Sequence, residues 1–122
     1  MGFSIENDIS RRLISVSYTQ SVGPHEARHC FEKIQKILTA FHPGFRLLAD
    51  FTQMVSMDAS CTPYLEQIMD LCSEKGVALV VRIIPDPRKD IGFNIMSLFH
   101  YAREVIIVTC TNREEAARAL AD

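Results

Sequence analysis

Apolar and polar positions alternate along the first twenty residues. "FSIEND" (3–8) and "RRLISVSYTQ" (11–20) read as two strands joined by a tight polar connection, with Ile14, Val16 and Tyr18 on one buried face. The period then lengthens. Pro24 opens a helix, at a position where its missing N–H has no partner to lose. Ala27, Cys30, Phe31, Ile34, Ile37, Leu38 and Phe41 follow at i, i+3, i+4, i+7 spacing, an inward stripe centred near Phe31 and Ile34. "HPG" at 42–44 stops the helix.

Beyond it, "FRLLADF" (45–51) is a short apolar run read as a buried strand. A second helix begins between Asp58 and Pro63, buries Leu65, Ile68, Met69 and Cys72, and ends at Gly76 as a C-cap. "VALVVRII" (77–84) is the most hydrophobic strand, bounded by the turn "PDP" at 85–87. A third helix is predicted over 90–102, with Ile91, Ile95, Leu98, Phe99 and Ala102 as its inner face. "EVIIVTC" (104–110) is the last strand, and Asn112 with Glu115 has the spacing of a capping box opening a terminal helix, "REEAARALA" (113–121). An antiparallel strand pair followed by strand–helix units predicts an α/β fold. The sheet is mixed, with four to five strands, and about four helices pack around it. No repeat, linker or low-complexity tract interrupts the pattern, so residues 1–122 read as one domain.

Composition narrows the function classes. The chain has 122 residues, 48% of them hydrophobic and 23% charged, as a folded globular chain has. A net charge of −2 and no basic cluster speak against a nucleic-acid partner. The longest apolar run is interrupted by Arg82 and falls far short of the ~20 residues of a membrane span. "MGFSIENDIS" lacks the features of a secretory signal, and Glu6 stands where a myristoylation motif needs Ser or Thr. Cys30, Cys61, Cys72 and Cys110 form no C-x-x-C pair and read as free thiols of a reducing cytoplasm, where the protein is expected. Met54, Met57, Met69 and Met96 read as core and edge filling. Arg88-Lys89 could meet an anion at the start of the third helix, although a charged turn is usually just solvated. No phosphate loop, nucleophile elbow or paired-carboxylate signature is present, and no cofactor is expected.

One motif needs a geometric test. His25-Glu26-Ala27-Arg28-His29 spells H-E-x-x-H, in which two His on one helix face hold Zn²⁺ and the Glu acts as general base. Relative to Ala27, His25 and His29 point about 160° and 200° away, opposite the inward stripe. A catalytic zinc also needs a third protein ligand and a cleft. The zinc-hydrolase reading is therefore set below two solvated histidines on an exposed helix face. No metal site and no catalytic residue are expected.

The segment 45–84 carries a family resemblance. Asp50-Phe51-Thr52 at a strand end, Met57-Asp58-Ala59-Ser60-Cys61 at a helix start, and "SLFHYAREVIIVT" later in the chain resemble the STAS domain of anti-sigma-factor antagonists. The resemblance implies a bacterial, non-enzymatic module of signalling and transcription regulation. In such a module a partner kinase phosphorylates the serine straight after the signature Asp, and the phosphate abolishes docking. Here that position is Ala59, which has no hydroxyl; Ser60 matches the second serine, and Cys61 replaces the usual Gly. The resemblance thus implies a docking surface at Met57, Asp58, Ala59, Ser60, Cys61 and Tyr64 without the phospho-switch, for an anti-sigma-factor or kinase-like regulatory protein. Ser60 reads as a helix-start or capping residue. Monomer and homodimer both remain open. The competing reading, a small apolar-ligand domain on the same fold, calls for a closed apolar cavity between helices and sheet.

Overall fold

The computed structural model describes residues 2–86 and 90–121. The elements run β1 (Phe3–Asp8), β2 (Leu13–Val22), α1 (Pro24–Ile37), β3 (Arg46–Met57), α2 (Thr62–Glu74), β4 (Leu79–Ile83), α3 (Asp90–His100), β5 (Ile106–Cys110) and α4 (Arg113–Ala119). One-turn 3-10 segments, Leu38–Ala40 and Ala59–Cys61, follow α1 and precede α2. The Arg88-Lys89 anion site expected from the sequence lies outside the described residues.

The five strands lie in the order β1-β2-β3-β4-β5, with β1 antiparallel to β2 and the remaining pairs parallel. Each crossover steps to the next strand in the same direction. Because such connections are right-handed, α1, α2 and α3 stack on one face. Ile14, Val16 and Tyr18 of β2, Leu47 and Phe51 of β3 and Val80 of β4 meet these helices in the main core. The sheet's other face is covered by α4, where Ala116 and Leu120 join Leu13, Val81, Ile83 and Cys110 in a second, smaller cluster. Val81 and Ile83 point one way and Val80 the other, so β4 is covered on both sides. This explains its nearly unbroken apolar sequence.

α2 ends as its sequence demands. Gly76 has φ +92°, and the Val77 amide donates to the Cys72 carbonyl at 3.0 Å, closing the last turn in a left-handed cap. A Cβ at Gly76 would stand 2.8 Å from Pro43 Cβ, so backbone conformation and close approach both require glycine. At α4 the Asn112 side chain accepts from the Glu115 amide at 2.9 Å, while the Glu115 carboxylate accepts from the Thr111 amide at 2.8 Å. The expected capping box forms with its return bond one residue earlier.

Three expectations are corrected. In α1 the buried residues are Ala27, Cys30 and Ile34, followed by Leu38, and Phe31 sits half-buried at the edge of the stripe. β3 does not end at Phe51 but continues to Met57, paired only with β2 beyond Asp50. Between Ser17 and Thr19, and again between Gln20 and Ser21, the register of β2 and β3 slips by one residue, so β3 carries two bulged residues.

The third correction concerns α3. Ile95, Leu98, Phe99 and Ala102, expected inside, face solvent, and the Ile91 side chain, expected with them, lies outside the described residues; Phe93, Met96, Ser97 and Tyr101 face the sheet instead. The cause is Arg82 on β4, which points into the helix-covered face and is 2% exposed. Its guanidinium donates to the Ser97 hydroxyl at 2.8 Å, Asn94 Oδ1 at 3.0 Å and the Phe93 carbonyl at 3.2 Å. A buried cation must be hydrogen-bonded, and the arc of α3 that carries Phe93, Asn94 and Ser97 presents these three acceptors to it. That requirement sets the rotation of the helix.

Candidate functional site, the β3–α2 junction

The two bulges of β3 lie just before its end, where Met57 pairs with Val22, the last residue of β2 before α1. There the Asp58 amide donates to the Val22 carbonyl at 3.0 Å, tying the end of β3 to the end of β2. The chain then turns through Ala59–Cys61 in a single 3-10 turn. Asp58, in extended conformation, caps that turn, accepting from the Ser60 amide at 2.8 Å and the Ser60 hydroxyl at 2.5 Å. These two donors hold the Asp58 carboxyl below its usual range, so at neutral pH it is an anion with its charge fixed in place. Pro63 sits in the first turn of α2, where its fixed φ suits the helix start.

The six residues singled out from the sequence divide into three groups. Asp58, Ala59 and Ser60 are exposed and form the tip of the turn. Met57 and Tyr64 are half-buried, their side chains packed against the main core. Cys61 is fully buried, and its thiol donates to the Val22 carbonyl at 3.5 Å, so it anchors the turn from below rather than offering surface. With φ −75° the backbone at this position needs no glycine-like freedom. Burial, then the Asp58 charge and Glu26, push its thiol up. Burial likewise raises Cys30 to about 11 and Cys72 to about 12. None of these thiols has thiolate character for nucleophilic chemistry near neutrality.

The sequence pattern did not single out Pro63, exposed on the first turn of α2, or Ser21 and Ser56, whose hydroxyls meet at 3.0 Å on the exposed end of the β2–β3 pair. Short polar residues at strand ends carry no periodic signal. Asp50, matched through the family's strand end, sits on the α4 side of the sheet. It accepts from the Thr52 amide at 2.8 Å, from the Thr52 hydroxyl, and from Arg113 Nε at 3.1 Å, fastening α4 to β3. Its role here is structural.

The H-E-x-x-H residues lie elsewhere, on the first turns of α1. His25 is exposed, and the half-buried His29 ring meets Phe3 of β1 edge-on at 5.6 Å. His29 is therefore not simply solvated as expected; it packs on the sheet. Among the described residues no group of three or more His, Cys, Asp or Glu side chains is placed to hold a metal ion. The apolar cavity between helices and sheet, lined by Tyr18, Phe51, Met69, Arg82, Phe93 and Tyr101, among others, has a volume of about 40 Å³. That is room for about a water or two, against the ~300–1,000 Å³ of a ligand pocket. Among the described residues no helix is long and apolar enough to cross a membrane.

No family model and no curated protein matches the sequence. Similarity appears at the level of structure. An uncharacterised protein of the DUF3478 family with a SpoIIAA-like fold, from Shewanella loihica PV-4, superposes with a TM-score of 0.76 at 11% identity, covering 98% of this chain and 94% of that one. The anti-sigma-factor antagonist SpoIIAA in its unphosphorylated form gives a TM-score of 0.65 at 16% identity over 98% of this chain and 99% of that one. The phosphorylated form of SpoIIAA, the Bacillus cell fate determinant, gives 0.63 at 18% identity over 96% and 98%. Identities this low speak to fold alone. The five-stranded mixed sheet with three helices on one face and one on the other is thus a STAS-like, SpoIIAA-like fold.

Proposed function

We propose that the protein is a cytoplasmic, non-catalytic interaction module that docks a regulatory protein through the β3–α2 junction, and that this docking carries no phospho-switch at Ala59. The observation that carries the reading is the build of the turn. Asp58, Ala59 and Ser60 stand exposed on a segment pinned by the Asp58 cap, the Asp58–Val22 bond and the buried Cys61. A surface fixed before docking loses little entropy on binding. Ala59 presents a methyl group where a phosphoserine would add nearly two negative charges beside the Asp58 carboxylate. Ser60 keeps a hydroxyl, but it is committed to Asp58 as part of the cap. Docking is accordingly constitutive at this position. The cavity of about 40 Å³ disfavours the ligand-domain alternative.

The test begins with a pull-down to identify the partner, followed by titration with the native protein, Ala59→Glu and Glu114→Gln. Glu114 is exposed on α4, across the sheet from the junction. Ala59→Glu should weaken binding about tenfold or more, roughly 1.4 kcal/mol, because a carboxylate must be desolvated beside Asp58. Glu114→Gln should match the native protein. Equal affinity for all three would remove the junction from the docking surface.

A further inference from the structure

α3 is apolar on both sides. Phe93, Met96 and Tyr101 face the core, while Ile95, Leu98 and Phe99 turn 53%, 81% and 81% of their surface to solvent. Two apolar arcs on one helix call for cover on both sides, and among the described residues only the inner arc has it. At 100° per residue, Gly92, Ile95, Leu98 and Phe99 fall within one arc of about 120°. Gly92 is exposed, and a Cβ there would meet nothing within 4 Å. Among the described residues the outward face thus has open space at Gly92 and a large ring two turns later.

We propose that this face is a self-association surface. Two copies pack α3 against α3, antiparallel, about a two-fold axis near residues 95 and 96. Positions 92 and 99 are equidistant from that midpoint, so one axis seats Phe99 of each copy over Gly92 of the other. The contact is isologous, as closed dimers require. Antiparallel alignment also sets the positive N-terminal end of each helix beside the negative C-terminal end of its mate. The three apolar side chains offer roughly 400 Å² per copy, about half the ~800 Å² per partner of a standard interface, so the dimer is weak and reversible. A lipid surface is the poorer occupant. The chain carries a net charge of −2. A chain of net negative charge is repelled by anionic headgroups.

Sedimentation velocity of the full chain from about 10 µM to about 1 mM tests this over the range where a weak dimer dissociates. The weight-average mass should rise from 13.8 kDa toward twice that value. Gly92→Leu should abolish the rise while leaving the monomer folded, because the added side chain fills open space. Phe99→Ser should abolish it too, and Gly92→Leu carries the test alone if Phe99→Ser fails to fold. A native protein that stays monomeric throughout overturns the proposal. Association that survives Gly92→Leu overturns the antiparallel register. Flotation of the native chain, but not of Phe99→Ser, on phosphatidylcholine vesicles without self-association would assign the face to lipid instead.

Discussion

α2 and α3 run side by side over the same face of the sheet, and both show an apolar stripe in sequence, yet only α2 buries the stripe that its sequence displays. In α2, Leu65, Ile68, Met69 and Cys72 occupy one arc, and Glu66, Gln67, Asp70 and Glu74 hold the rest of the surface. One face is apolar, so the rotation is decided locally. In α3 both arcs carry large apolar side chains, and the choice passes to a residue on another element. Arg82 needs acceptors, and Ser97, Asn94 and the Phe93 carbonyl supply them. Periodicity finds stripes. It does not say which of two a buried cation will pull inward.

The largest expected effect sharpens this contrast directly. Leu65→Ala should destabilise the protein by about 2–5 kcal/mol through the cavity it leaves, whereas Leu98→Ala should stay within about ±0.5 kcal/mol. Chemical denaturation of both variants in parallel measures the difference. Comparable losses would mean that the outward stripe of α3 is in fact packed.

A smaller effect isolates the cause. Ser97→Ala removes one acceptor of the Arg82 guanidinium and should cost about 1–3 kcal/mol, more than a neutral hydroxyl deletion on the surface. If denaturation finds no loss, Arg82 does not fix the rotation of α3.

The seam between the two helices should respond to pH. His100 of α3 meets Asp70 Oδ1 through Nδ1 at 2.7 Å and Glu66 Oε2 through Nε2 at 2.9 Å, both carboxylates projecting from α2. Only the imidazolium donates from both nitrogens. The hydrogen bond to Asp70, then that to Glu66, raises the His100 pKa above 6.5 despite some burial. A raised folded-state pKa means that the contribution is fully present below about pH 6.5 and is lost as pH rises through the folded value. Stability measured from pH 5.5 upward should fall across that window relative to His100→Gln, and parallel curves would contradict the clamp. The smallest effect is expected at exposed His25. There His25→Ala should lie within about ±0.5 kcal/mol, and a larger change in thermal denaturation would give that motif a structural role.

Much of the fold is legible in the sequence because its strongest signals are local. The alternation of β2, the helix-opening Pro24, the Gly76 cap and the apolar run of β4, broken only by Arg82, each follow from the element that contains them. The extension of β3 to Met57 is not local. It depends on pairing with β2 and on two bulges that a strand cannot announce by itself. The site shows the same division. The signature residues 57–61 lie at the junction, but the cap is Asp58, and Ser60, read from the sequence as a capping or helix-start residue, is the donor to it. Cys61 turned inward because a 3-10 turn, with three residues per turn, shifts the phase before α2 begins.

The most direct test of the account uses the partner captured in the pull-down and an ¹⁵N-labelled chain, kept dilute enough to be monomeric. Amide shifts followed during titration should move at Asp58–Tyr64 and at Val22–Gly23, where the junction is anchored, and leave Ile95–Phe99 still. Perturbations centred on Ile95–Phe99, with Asp58–Tyr64 unmoved, would contradict it.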